Sequence, residues 1–147
     1  MLDSMKDKRN KIVVRFEDGK ILKGYTHDFS PVKETFHLKS EMEEDKDTLY
    51  EVKLADLKAV FFVKSLEGNK DYVEKKMFYE IDASSLKGLK IKIEFSDGEI
   101  MSGVTLSYSK GRKGFFLIPV DAESNNVRVF VVSNSLSDVK VGSAAEK

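Results

Sequence analysis

The sequence predicts an all-β protein: two tandem small five-stranded barrels related by internal duplication. Three observations carry this. The run KIVVRFEDGKILKGYT, starting at Lys11, returns as KIKIEFSDGEIMSGVT, starting at Lys90. The offset of 79 residues holds without a gap from residues 11–62 onto 90–141. Within both copies apolar residues alternate as one face of a strand requires, and an Asp-Gly pair separates the first two apolar runs.

Ile12, Val14 and Phe16 lie two residues apart and form one face of a first strand. Asp18-Gly19 follows, and Ile21 resumes the pattern, which predicts a hairpin because Gly accepts the positive φ that tight turns need. Asp97-Gly98 repeats it. Gly24 and Gly103 fall inside the second strand of each copy, where glycine marks a bulge or sharp bend that a small barrel needs to close. Further strands are predicted over Thr35–Lys39 and Leu49–Leu54, with counterparts at Gly114–Pro119 and Val127–Val132. Ala55–Lys58 forms one helical turn leading into Ala59–Lys64. The chain thus divides into an N-terminal extension (1–10), a first barrel (11–65), a linker (66–88), a second barrel (89–141) and a flexible tail (142–147). Tyr72, Val73, Met77 and Phe78 make the linker too apolar for a free tether, so it packs back on a barrel.

The run IVVRFEDGKILKGYTHDF followed by FHL resembles the first motif of Sm-like barrels. VKLADLKAVFFVK is similar to the end of SH3-like barrels, where a short helical turn precedes the last strand. LADLKAVFFVK and FFLIPVDAESNNVRVFVV resemble an uncharacterised bacterial family associated with signalling proteins that carry PilZ or receiver domains. The PilZ pattern itself implies cyclic-dinucleotide binding through arginines and an Asp-x-Ser-x-x-Gly run. Here Arg9 and Arg15 depart from its spacing, and the run Asp82 to Gly88 is one residue too long.

Composition narrows the function. Hydrophobic residues make up 41%, which suits a globular chain rather than a disordered one. Twenty-five basic residues balance 25 acidic ones, whereas a dedicated nucleic-acid binder carries a basic excess. The chain has no cysteine, so thiolate metal sites and cysteine nucleophiles are absent, and a reducing compartment is favoured. The charged start MLDSMKDKRNK is unlike a signal peptide, and no apolar run approaches the ~20 residues that span a bilayer. The expectation is a cytoplasmic protein with no membrane partner.

Chemistry is sparse. His27 beside Asp28 is the one pairing that suits general-base work, but copy two places Leu106 and Ser107 there. Glu41, Glu43, Glu44, Asp45 and Asp47 offer oxygen ligands without the order of a calcium loop. No phosphate-cradling loop or nucleophile elbow is present. The expectation is therefore no catalytic residue, no metal and no cofactor.

Differences between the copies are more informative. Phe36 and Phe115, and Leu38 and Leu117, match as inward positions. On the opposite parity His37, Lys39, Glu51 and Lys53 are polar, whereas Phe116, Ile118, Phe130 and Val132 are apolar. Phe61 against Lys140 is the reverse case. Phe116, Ile118, Phe130, Val132 and Phe61 are thus the candidate interaction patch, to be covered by the other copy, by the linker or by a second molecule. The basic loop of Lys110, Arg112 and Lys113 is a second candidate surface, suited to an acidic partner or phosphate. The sequence favours a non-enzymatic binding or adaptor module that docks protein or self-associates, with nucleic-acid binding (Arg128 joining that loop) and cyclic-dinucleotide binding as alternatives.

Overall fold

The computed structural model describes residues 9–68, 70–82 and 86–147, so most of the expected N-terminal extension and the centre of the Asp82–Gly88 run lie outside the described residues. Ten strands form: β1 (Asn10–Phe16), β2 (Ile21–Thr26), β3 (Thr35–Ser40), β4 (Leu49–Lys53), β5 (Leu57–Val63), β6 (Leu89–Phe95), β7 (Ile100–Thr105), β8 (Gly114–Pro119), β9 (Asn126–Val132) and β10 (Leu136–Val141). Short 3₁₀ turns at Leu54–Asp56 and Ser133–Ser135 precede β5 and β10, and no α-helix occurs among the described residues. Among the described residues no helix is long and apolar enough to cross a membrane.

The first hairpin turn divides its labour between two residues. Gly19 takes φ +96° and its amide donates to the Phe16 carbonyl at 3.0 Å. Asp18 keeps an ordinary φ; its carboxylate instead accepts the Lys20 amide at 2.9 Å. Gly98 and Asp97 repeat this, with Gly98 at φ +95° and the Glu99 amide 2.9 Å from Asp97. The positive φ is needed only at the glycine, as in three-residue hairpin loops. Gly24 and Gly103 serve close approach. A Cβ on Gly24 would lie 2.0 Å from the Lys39 carbonyl oxygen, and one on Gly103 2.2 Å from that of Ile118. Only a bare backbone lets β3 and β8 cross their neighbours there.

The strands join in one antiparallel sheet, in the order β10-β6-β7-β8-β9-β5-β1-β2-β3-β4. The two halves therefore share one internal order, and they meet where β5 pairs with β9. Where the sequence predicts two barrels, the structure has this continuous sheet, with Val60 opposite Phe130 and Phe61 opposite Val129 at the seam.

Side chains cross the seam in both directions. On one face, Phe130 and Val132 enter the first half's core with Ile12, Val14, Leu38 and Val60. On the other, Ala59, Phe61 and Val63 enter the second half's core with Ile91, Ile93 and Leu117. All of β5 is buried, because both its faces are covered. The linker lies against the second half: Phe78 packs with Val120 and Ala145, whereas Val73 stays exposed.

Candidate binding site

The expected patch divides on the fold. Phe116 and Phe130 stand edge-on at 5.1 Å between ring centres, and Phe29 of the first half meets them at 6.1 and 5.3 Å. The Arg128 guanidinium lies 4.4 Å from the ring centres of both Phe62 and Phe116, a cation–π sandwich across the seam. Val132 is buried beside them, Phe61 is buried on the opposite face, and Ile118 remains 44% exposed. Three patch residues are thus covered by the first half, and Phe61 by the second half's core.

The Arg112 side chain donates to the Ser107 carbonyl, leaving Lys110 and Lys113 exposed around it. The Lys113 carbonyl accepts the Ser133 amide at 2.9 Å. That contact sets Lys113 at the rim of a groove of about 410 Å³ over the seam. Leu54, Phe130 and Val132 line its apolar floor, and Lys33, Lys53, Lys113 and Glu34 stand at its rim. None of these lysines forms an ion pair among the described residues. The groove brings together Phe130, Val132 and Lys113, but not Phe61, Phe116, Ile118, Lys110 or Arg112.

The opposite face of the seam holds a second, more polar cleft of about 220 Å³. Val13, Arg15 and Phe61 line it from the first half, Ile100–Ser102 from β7, and Glu74 and Lys76 from the linker. Ser102, beside this cleft on β7, is buried, and its hydroxyl is closed off from solvent with no hydrogen-bond partner among the described residues. Leaving a buried hydroxyl unpaired costs about 1–3 kcal/mol, so its retention invites an explanation.

The remaining polar candidates have structural partners. Asp28 pairs with His37 rather than with His27: it accepts the His37 amide at 2.9 Å and lies 2.7 Å from Nδ1. Burial opposes ionisation of Asp28, and the His37 and Thr26 hydrogen bonds outweigh it, holding the carboxyl below its usual range. Asp45 of the acidic loop accepts the Ser40 and Tyr50 hydroxyls, and Asp47 faces Lys39 at 3.8 Å. Among the described residues no three His, Asp or Glu side chains gather as metal ligands. Lys58 reaches across the seam to Asp97 at 2.6 Å and to Glu99, with Phe95 under its ammonium.

Asp121 clamps the linker. Its carboxylate accepts the Tyr72 hydroxyl at 2.6 Å, the Lys75 amide at 2.8 Å and the Glu123 amide at 2.9 Å. Burial acts to raise its pKa; the three hydrogen bonds prevail and lower it, while the Tyr72 phenol is pushed up to about 12. Asp121→Ala is expected to cost about 1.5–3 kcal/mol and to speed tryptic cutting at Lys75 and Lys76. A depressed carboxyl stabilises the fold fully above its unfolded value, about pH 4, and that contribution drains as pH falls through the lower folded value. Denaturant melts of wild type and Asp121→Ala should therefore converge in acid.

Lys33 and Lys53 were not legible as site residues, because only the seam brings them to Lys113. One local signal was available: AVFFV and VFVV do not alternate, which marks strands covered on both faces.

No curated protein and no solved structure matches the chain. A family model described as a family of unknown function (DUF6982) matches residues 8–143, and the chain belongs to that family.

Proposed function

We propose that this protein is a non-enzymatic docking module that seats an extended acidic peptide segment in the seam groove. Its ten strands are then two duplicated five-stranded small barrels of SH3-like or Sm-like plan, fused edge to edge. The family resemblance suggests a role in bacterial cytoplasmic signalling.

The observation that carries this reading is the combination in one groove of an apolar floor (Leu54, Phe130, Val132) with three lysines that form no ion pair among the described residues. An apolar floor gains from burying a Leu- or Phe-sized side chain, worth ~1.5–3 kcal/mol. Desolvated anchors of that kind carry most of the energy of small interfaces. Lys33, Lys53 and Lys113 add attraction for flanking carboxylates, chiefly as faster association and selectivity. The volume suits one or two side chains rather than a folded domain.

The test is a fluorescence-anisotropy titration with nonapeptides holding a central Leu or Phe flanked by Glu and Asp. Lysine-flanked versions, a second copy of the chain and a uridine oligomer serve as comparisons. Binding of the acidic peptides that falls at least tenfold in the Lys53→Glu, Lys113→Glu variant supports docking. Equal binding of the lysine-flanked peptides, or preference for the oligomer with a steep salt slope, overturns it.

A further inference from the structure

We propose that the polar cleft on the opposite face of the seam binds a small molecule with an anionic group and an apolar body. Two features converge there. First, its cations are available. Arg15, Lys23 and Lys76 line the cleft and form no ion pair among the described residues. Of its three carboxylates, Glu99 is paired with Lys58, Glu67 accepts the Ser65 hydroxyl and is within the field of Lys23, and the third is Glu74.

Second, the cleft has an apolar wall beside the cationic one. The Arg15 guanidinium stands 5.6 Å over the Phe61 ring and makes no hydrogen bond among the described residues. Ile100 and Met101 continue that wall from the second half. The arginine fork fits carboxylate and phosphate alike, since both present two oxygens to parallel N–H donors.

Size bounds the ligand. About 220 Å³ accommodates a metabolite of roughly a dozen non-hydrogen atoms. The cleft is formed by both halves and the linker together, so a ligand there would also hold β5 and β9 in register.

The experiment is an amide and arginine-side-chain NMR titration of the full chain. The probes are phenyl phosphate, benzoate and benzyl alcohol; the first two separate phosphate from carboxylate, and the last has no charge. Saturable shifts at Val13–Arg15 and Ile100–Ser102 with either anion, absent with benzyl alcohol, are expected. Arg15→Gln should weaken that binding at least tenfold. Arg15 is exposed, so the same spectrum verifies that the variant is folded. Shifts that are equal for the neutral probe, or unchanged affinity in Arg15→Gln, overturn the proposal.

Discussion

Phe130→Ala should cost about 3–5 kcal/mol, the range for emptying a buried phenylalanine site. Phe130 is 2% exposed, touches Phe29 and Phe116 edge-on, and sits opposite Val60 across the seam. Its loss removes apolar burial and the edge contacts together. Because the ring belongs to β9 but fills the first half's core, the damage should reach both halves. Denaturant unfolding followed by Tyr fluorescence should show one transition at a lower midpoint. A second transition would mean that the halves melt separately.

The ends of the sheet give the second large effect. β4 and β10 are its edge strands. They carry Glu51 and Lys140, where the seam strands, 79 residues away in sequence, carry Phe130 and Phe61. Charged side chains on an edge strand prevent it from recruiting another strand. The seam itself shows what happens when those positions are apolar: β5 and β9 pair and exchange aromatic rings between cores. Replacing the charges by Glu51→Phe together with Lys140→Phe should therefore convert the ends into a second seam. Multi-angle light scattering on a concentration series should show assembly growing with concentration, while wild type holds one mass. A double variant with the wild-type mass at every concentration would mean that the charges are not what keeps the ends apart.

Most of the strand plan was legible in the sequence, for local reasons. Ile12, Val14 and Phe16 alternate, Asp18-Gly19 turns the chain, and Gly24 permits close crossing; each signal lies within a few residues. The contrast of Phe116, Phe130 and Val132 with His37, Glu51 and Lys53 pointed to a covered face. The cover was harder to read. Phe29 supplies part of it, and its counterpart is Tyr108, so the comparison between copies showed no contrast there. The pairing of β5 with β9 joins residues about 70 apart and depends on two edges meeting in space. Ser102 looked ordinary because its lack of a hydrogen-bond partner is a property of packing.

The seam is a permanent part of one fold, and both candidate sites are built across it. Native-state hydrogen exchange tests this most directly. Amides of residues 59–63 and 129–131 should be protected as strongly as those of 12–14 and 91–93, all opening with the global unfolding free energy. Seam amides exchanging orders of magnitude faster than the core of either half would contradict it. The two halves would then be separate bodies in transient contact, with no stable groove between them.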